Sequence, residues 1–449
     1  MEEEDTTTMS EQKAILAELP LSASDLSAPP KDKFHIVFFI FLLQGVGVLF
    51  PWNAFISAPD YFSALYGDNT MLYFSVAYSI PNLLGVLAMV KLSPKIPMAW
   101  KMYPSFVVTL LVLIAVPILG YSGVNGTPGF VVTILLIVLS ALCTAVLQGN
   151  IFGMSGMLPS SYITAVMSGN GVAGVACSFL RIVTKLTIEQ NRKHVPILIM
   201  TTSAAVYFFV CALVILACIV TFFIVMRMPF TQYYLNKANS SKNTTSVNSE
   251  NYDEISTLVQ PTQAKKPSVF SVFKKIWVQA LMVMTVFVVT IGVFPGLSVS
   301  VPTWYKGTEM KDWLPILIGT TFNIFDFIGR TAPRWIIMFN RKFVPIPVLL
   351  RILILPLFVF MYKPSIVGLE AFNDAVPLLA TALVALTNGY LSSLCMMYGP
   401  SLVDDHEKEV AGTLMTFFLL FGIVLGSFTG LAIGQILGAV IPNTNNYVD

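Results

Sequence analysis

Long apolar runs alternate with short polar segments along almost the whole chain. A helix needs about 20 apolar residues to cross the hydrocarbon core of a bilayer, and runs of about this length recur eleven times. They cover residues 34–56, 71–91, 103–122, 129–154, 161–184, 196–226, 276–300, 313–337, 344–362, 374–398 and 409–440. The pattern therefore predicts an all-α integral membrane protein with eleven transmembrane helices.

One long hydrophilic insert interrupts this pattern and divides the predicted helices into six and five. It covers residues 228–274 and contains "NSSKNTTSVNSE", a composition typical of disorder. We therefore divide the chain into five parts. They are a disordered N-terminus (1–33), a six-helix half (34–227), the disordered insert (228–274), a five-helix half (275–441) and a short tail (442–449).

The composition excludes several classes of protein. The chain is 55% hydrophobic and only 11% charged, whereas soluble proteins carry about 25% charged residues. A net charge of +2 without a dense basic patch gives no reason to expect nucleic acid as a partner. The five cysteines lie in apolar runs and are typical of buried thiols, and the three histidines lie far apart. We therefore expect no metal site and no cofactor.

The distribution of Lys and Arg predicts a cytoplasmic N-terminus and a cytoplasmic insert, because short cytoplasmic loops are enriched in these residues. The segments that this orientation places inside hold Lys31, Lys33, Lys91, Lys95, Lys101, Lys265, Lys266, Lys274, Lys275, Arg341 and Lys342. Fewer fall outside, namely Lys185, Arg192, Lys193, Lys306, Lys311 and Lys363. An odd number of spans then places the C-terminal tail outside the cytoplasm.

Three polar residues follow one face of the eighth predicted span. Asp326 and Arg330 are four residues apart, and Asn323 precedes Asp326 by one turn. A charged group at the bilayer centre costs at least about 2.5–3.5 kcal/mol, so it usually faces a cavity or a partner. The pair is either a structural ion pair between helices or the lining of a solute site, in which Arg330 donates and Asp326 accepts hydrogen bonds.

Other polar groups within the spans indicate either contacts between helices or a water-lined path. Gln148 and Asn388 each precede a glycine, and Trp52 follows Pro51 in the first span, where proline favours a kink. For Arg181 and Arg351 we favour a structural or gating pair. Glycine clusters at 168–178 and 422–435 are typical of closely packed helices.

Five stretches of the chain, in this order, resemble signature motifs of the equilibrative nucleoside transporters. They are "GVGVLFPWNAFISAPDYF" (45–62), "LQGNIFGMSGMLPSSYITAVMSGNGVAG" (147–174), "TIGVFPGLSV" (290–299), "FNIFDFIGR" (322–330) and "NGYLSSLCMMYGP" (388–400). The resemblance implies a fold similar to the major facilitator type, with the six-helix and five-helix halves around a central cavity. It also implies alternating access, in which the halves rock and expose the cavity to each side in turn.

The resemblance further implies roles for individual residues. Leu49 and Trp52 would flank the nucleobase, Gln148 would hydrogen-bond the edge of the base, and Ile423 would pack beside the substrate. Asp326 and Arg330 would hold the ribose hydroxyls, with Asn323 supporting them. Residues expected at the gate or along the cavity wall are Phe294, Pro295, Asn388 and Ser79, the last standing where some relatives carry Met.

The function expected from these observations is facilitative transport of nucleosides such as adenosine and uridine, with nucleobases as a further substrate class. The alternative is a proton-coupled nucleoside or nucleobase carrier, or an organic-cation carrier, because Asp326 is a carboxylate embedded in the membrane. A membrane enzyme is not expected, because the spans contain no nucleophile–base set and no cluster of His and acidic residues.

We expect the lipid bilayer as the surroundings, nucleosides as substrates and the plasma membrane as the location. The segment "EQKAIL", Glu11–Leu16, matches an acidic dileucine sorting signal. Sorting adaptors that bind it would direct the protein to the vacuolar or lysosomal membrane instead.

Overall fold

The computed structural model describes residues 29–56, 59–67, 70–92, 96–124, 126–184, 186, 197–244, 268–295, 298, 308–362 and 375–440. All regular structure within these ranges is helical. The first half contains α1 (Ile36–Ile56), α2 (Pro59–Tyr66), α3 (Thr70–Leu92), α4 (Met98–Tyr121), α5 (Gly126–Met157), α6 (Ser161–Thr184) and α7 (Ile197–Arg227). Helix α8 (Pro229–Thr244) follows it. The second half contains α9 (Val269–Val293), α10 (Thr308–Thr331), α11 (Pro345–Leu350), α12 (Ile354–Tyr362), α13 (Ala375–Ser401) and α14 (Lys408–Val440).

The helices agree with the membrane topology expected from the apolar runs. Within the described ranges, nine helices are long and apolar enough to cross a membrane. The other two predicted spans, 313–337 and 344–362, are also helical. The first of these is largely α10, which is less apolar because it carries the polar residues Asn323, Asp326 and Arg330. The second consists of α11 and α12 joined by a short 3-10 segment, Arg351–Leu353.

The insert 228–274 departs from its predicted disorder at both ends, and at its C-terminal end α9 already begins at Val269. Helix α8 occupies Pro229–Thr244 and packs against the 3-10 turn Asp405–Glu407 that precedes α14. Phe230 and Ala238 are buried, and Lys237 pairs with Asp405 at 3.1 Å. The prediction of disorder is therefore wrong for this helix, because its few apolar residues are buried against the helix bundle. Residues 245–267 lie outside the described residues.

Within the described residues, the two halves pack mainly along three helix pairs, with smaller contacts of α13 on α6 and α5. Helix α6 of the first half contacts α10 of the second, and α14 of the second half contacts α3 and α5 of the first. Glycines allow several close approaches: Gly171 faces the backbone of Phe327 in α10, and Gly412 faces the backbone of Phe152 in α5. The glycine cluster at 168–178 is therefore part of a packing surface, as the sequence indicates.

The halves also meet at the end of the bundle where α1 begins, which we call the N-terminal end. Lys101 lies 3.9 Å from Glu409, and the hydroxyl of Thr413 donates to the carbonyl of Gly149 at 3.0 Å. The carboxylate of Asp405 raises the pKa of Lys237 in α8 above its usual value. The stabilisation from this ion pair is therefore lost only as the pH rises through the raised pKa of Lys237. The N-terminal end is therefore closed by contacts between the halves.

Candidate functional site

A cavity lies between the two halves. Its volume is about 700 Å³ when the solvent at its open side is included. Helices α1, α3, α5 and α6 line it from the first half, and α9, α10 and α14 line it from the second. Most lining side chains are apolar, with a few polar groups among them. This mixture of an apolar lining with a few polar groups is typical of sites for small organic molecules.

Six of the residues expected at the site from the sequence line this cavity. They are Leu49, Trp52, Ser79, Gln148, Arg330 and Ile423. The other five, Asn323, Asp326, Asn388, Phe294 and Pro295, are not among the described residues that line it. The structure therefore separates residues that face the cavity from residues that stand behind its wall.

The charged pair in α10 is buried and hydrogen-bonded within the protein. Arg330 Nε lies 2.5 Å from Asp326 Oδ2, and the amide of Asn388 in α13 donates to Asp326 Oδ1 at 2.7 Å. Arg330 and Asp326 are 7% and 5% exposed. Arg330 faces the cavity, whereas both oxygens of Asp326 already have a protein partner. Asp326 therefore stands behind Arg330 and orients its guanidinium group.

A second buried arginine extends this network. Arg351 donates from Nη2 to the hydroxyl oxygen of Thr290 at 2.8 Å and to the carbonyl of Val384 at 3.1 Å. The hydroxyl of Thr290 lies 2.8 Å from Asn388 Oδ1. A continuous chain of hydrogen bonds thus runs from Arg351 through Thr290 and Asn388 to Asp326. It joins α9, α10 and α13, and it gives Arg351 a structural role.

Two glycines make the contact between α10 and α13 close enough for this network. A Cβ atom at Gly329 would overlap the backbone of Leu386, and one at Gly389 would overlap the carbonyl oxygen of Asp326. The helix backbones can therefore approach until the amide of Asn388, next to Gly389, reaches the Asp326 carboxylate. The glycines of "FNIFDFIGR" and "NGYLSS" serve this approach.

Asn323 contacts the other half rather than the cavity. Its amide donates to the hydroxyl oxygen of Ser178 in α6 at 2.8 Å, and Gly174 of α6 leaves room for its side chain. Asn323 precedes Asp326 by one turn of α10, and its hydrogen bond to Ser178 holds α10 against α6.

Aromatic rings cover one wall of the cavity. Trp52 in α1 stacks on Tyr78 in α3, with ring centroids 4.2 Å apart and planes 18° from parallel. Both rings line the cavity, together with Leu49 one turn before Trp52. Gln148 also lines it and is 5% exposed. The arrangement offers a flat apolar surface with a polar amide elsewhere in the same chamber.

The bend after α9 lies outside the cavity lining. Helix α9 ends at Val293, and the Phe294–Pro295 peptide bond that follows is cis. The Phe294 ring stacks on Phe322 of α10, with centroids 3.9 Å apart and planes 2° from parallel. This contact joins the end of α9 to the middle of α10, and both helices also supply residues that line the cavity.

The cavity is also lined by residues that neither the sequence pattern nor the family resemblance indicated. Asn82 and Asn170 line it, are 3% and 6% exposed, and each has an Oδ1 atom without a hydrogen-bond partner in the described structure. Both could have been found as amides within apolar runs, since Asn82 follows Pro81 and Asn170 stands between two glycines. The apolar lining residues Phe287, Leu419, Leu420 and Val424 carry no such signal.

The described part of the chain contains no group of three or more His, Cys, Asp or Glu residues able to hold a metal ion. The chemistry available in the cavity is therefore stacking, apolar contact and hydrogen bonding. One fixed guanidinium group and several amides provide the polar contacts.

Comparison with known proteins gives a consistent result. Residues 134–433 match a family model described as Nucleoside transporter. Human equilibrative nucleoside transporter 2 is 30% identical over 89% of this chain and 96% of that protein. Human equilibrative nucleoside transporter 1 is also 30% identical, over 89% and 97%. Equilibrative nucleotide transporter 1 of Arabidopsis thaliana is 29% identical over 89% and 86%.

Two solved structures share the fold at low sequence identity. The proton:xylose symporter XylE of the major facilitator superfamily matches with a TM-score of 0.60, 12% identity and coverage of 90% of each chain. The fucose:proton symporter FucP of E. coli matches with a TM-score of 0.52, 13% identity and coverage of 91% and 92%. The fold is therefore of the major facilitator type.

Proposed function

The chain belongs to the nucleoside transporter family, and from this premise we propose that its central cavity binds a nucleoside during transport. The protein is a multi-pass membrane transporter of nucleosides rather than an enzyme. The observation that carries the assignment of the site is the buried guanidinium of Arg330, which faces the cavity and is held from behind by Asp326. Adenosine and uridine are the expected substrates, with nucleobases as a further class.

A nucleoside combines a planar base with a sugar that carries several hydroxyl groups, and the cavity offers a surface for each. The stacked rings of Trp52 and Tyr78 provide a flat wall for the base, since aromatic rings prefer offset stacking. Leu49 and Ile423 supply apolar contact. Gln148 carries both a donor and an acceptor, so it can pair with the edge of a purine or a pyrimidine.

The sugar hydroxyl groups of the nucleoside are proposed to bind Arg330. A guanidinium group presents several donors in a fixed planar arrangement, and hydroxyl oxygens can accept from two of them at once. Asp326 compensates the charge of Arg330 and fixes its direction, while Asn388 fixes Asp326. In this arrangement Asp326 acts on the sugar through Arg330.

Facilitative transport fits the charges around the cavity better than proton coupling does. Asp326 pairs directly with Arg330, and the hydrogen-bond chain connects it to Arg351. Two cationic groups therefore accompany one carboxylate at this site. The alternative of a proton-coupled or organic-cation carrier finds no support in this set of charges.

The closed N-terminal end supports alternating access as the mode of transport. In this conformation the contacts between α5 and α14 and the pair Lys101–Glu409 shut that end. Release of the nucleoside on that side requires these contacts to break as the halves rock. We assign the N-terminal end to the cytoplasm because of its excess of Lys and Arg.

The membrane that holds the protein is assigned from the sequence. We propose the plasma membrane, with the vacuolar or lysosomal membrane as the alternative if sorting adaptors bind Glu11–Leu16. This segment lies outside the described residues. Replacing Leu16 with Ala and imaging the tagged protein in cells tests the alternative: a shift from internal membranes to the cell surface supports it.

A competition assay tests the substrate class. Purified protein in liposomes is given labelled adenosine together with unlabelled uridine, adenine or a monoamine. We expect uridine to compete and the monoamine not to compete, while the result with adenine decides whether nucleobases are carried. Competition by the monoamine alone would contradict the proposed function.

A further inference from the structure

A sugar hydroxyl group both donates and accepts a hydrogen bond, so a site that holds it needs a donor and an acceptor. Arg330 supplies donors only. The cavity must therefore provide an acceptor beside Arg330 if the sugar is to be fully hydrogen-bonded there.

Asp326 is poorly placed to be that acceptor. Its Oδ2 binds Arg330 Nε at 2.5 Å and its Oδ1 binds the amide of Asn388 at 2.7 Å. It is 5% exposed and is not among the described residues that line the cavity. A hydroxyl group in the cavity would meet Arg330 before it met the carboxylate.

Asn170 has the properties that Asp326 lacks. It lines the cavity together with Arg330, and its Oδ1 is buried without a hydrogen-bond partner in the described structure. Asn170 lies one turn after Met167 in α6, and the sulfur of Met167 is 3.8 Å from Arg330 Nη1. Asn170 is therefore at the Arg330 side of the cavity.

The neighbours of Asn170 fix its direction. Gly169 packs against the backbone of Leu42 in α1, and Gly171 packs against Phe327 in α10. With α6 held on both sides, residue 170 has little freedom to turn away from the cavity. A buried amide oxygen that is held in place and unpaired is costly unless a ligand supplies a donor.

We propose that Asn170 is a specificity-determining residue that accepts a hydrogen bond from a sugar hydroxyl of the bound nucleoside. Arg330 donates to the same sugar, and Asp326 positions Arg330. This inference rests on the proposed function, since it assumes that a nucleoside occupies the cavity. It makes Asn170 the residue that distinguishes a ribonucleoside from the deoxynucleoside lacking that hydroxyl group.

The test measures binding of adenosine and its 2′-, 3′- and 5′-deoxy derivatives by competition with labelled adenosine on the full-length protein in liposomes. The wild type should prefer adenosine over at least one deoxy derivative by on the order of tenfold, the value of one hydrogen bond. In Asn170→Leu, which has a similar volume and no polar atoms, we expect this ratio to fall to about one. Asn170→Asp keeps an acceptor and should retain the preference.

Asn82→Leu is the matched control, because Asn82 also lines the cavity and its buried Oδ1 also has no hydrogen-bond partner among the described residues. It lies in α3 one turn after Tyr78, on the side of the stacked rings, and should leave the ribose-to-deoxyribose ratio unchanged. Asn170→Ser provides a smaller polar replacement if Asn170→Leu does not fold, and it should reduce the ratio.

Three results would overturn the inference. They are an unchanged ratio in Asn170→Leu or Asn170→Ser for all three derivatives, an equal loss of the ratio in Asn82→Leu, and a wild type without preference for adenosine. Failure of the proposed function looks different, since the wild type would then bind neither adenosine nor uridine.

Discussion

A guanidinium group that faces a cavity inside a membrane protein needs a fixed negative partner. Asp326 supplies it, and Asn388 and Thr290 connect Asp326 to Arg351. Removing one member of a buried ion pair leaves an uncompensated charge and usually costs about 3–5 kcal/mol. Tests of Arg330 are therefore cleaner with a substitution that keeps the charge than with alanine.

Asn388 should matter for stability as well as for transport. Asn388→Leu leaves Asp326 Oδ1 without its donor, and a buried unsatisfied acceptor costs about 1–3 kcal/mol. We expect a lower melting temperature in detergent and a reduced maximal rate of uptake. Thr387→Val on the same helix is the control, because the Thr387 hydroxyl bonds only to backbone of its own helix in the described structure. Equal melting temperatures for Asn388→Leu and the wild type would rule out the role assigned to Asn388.

Trp52 should contribute to substrate affinity. Trp52→Ala removes one ring of the stacked pair that faces the cavity, and an aromatic stack is worth about 0.5–1.5 kcal/mol beyond its buried area. We therefore expect KM for adenosine to rise by about threefold to tenfold with similar protein in the membrane. Trp100→Ala, at a residue that is 78% exposed, should leave KM unchanged. Unchanged KM in Trp52→Ala would argue against base stacking on this wall.

Part of the site could be predicted at the residue scale. Asp326, Arg330 and Gln148 are detectable because polar groups are rare in apolar spans, whereas Trp52 is indicated by the neighbouring Pro51 and by the family resemblance. What the sequence could not show is which of two charges on one helix face touches the cavity, because this depends on Asn388 from a distant segment. Asn170 was not predicted as a site residue, because the glycines on either side of it indicated only close helix packing.

At the scale of helices, glycine spacing controls how closely α10 approaches α13. Gly329→Ala places a methyl group against the backbone of Leu386 and Tyr390, so the two helices must separate. We expect a marked loss of folded protein or of melting temperature, together with loss of uptake, because the contact of Asn388 with Asp326 opens.

Gly319→Ala on the same helix is the matched control for Gly329→Ala. No atom of the described residues lies within 4 Å of a Cβ at Gly319, and alanine is about 0.5–1 kcal/mol more favourable than glycine inside a helix. It should leave the melting temperature unchanged or raise it. A similar loss in both variants would mean that helix packing at Gly329 is not the cause.

The helices themselves followed from hydrophobic run length, since a bilayer requires helices of a minimum length. Helix α8 did not, because its composition is polar and its stability comes from the contact with Asp405–Glu407, which is remote in sequence. The local hydrophobic pattern therefore predicts membrane spans well, but it does not predict helices whose stability depends on tertiary contacts.

At the scale of the whole molecule, the two halves enclose a chamber that is closed at the N-terminal end by α5, α14 and the Lys101–Glu409 pair. The sequence indicated two halves through the position of the insert, and family motifs implied the chamber between them. The contacts that close one end come from residues scattered over both halves, so no local pattern reveals them.

The most direct test is uptake of labelled adenosine and uridine into liposomes that contain the purified wild type or Arg330→Lys, with and without an imposed pH gradient. Lysine keeps the charge opposite Asp326 but lacks the planar group of donors. We expect saturable uptake by the wild type that stops at the external concentration and is independent of the pH gradient. We also expect at least a tenfold lower rate in Arg330→Lys. Equal rates in both proteins, or accumulation above the external concentration driven by the pH gradient, would contradict this account.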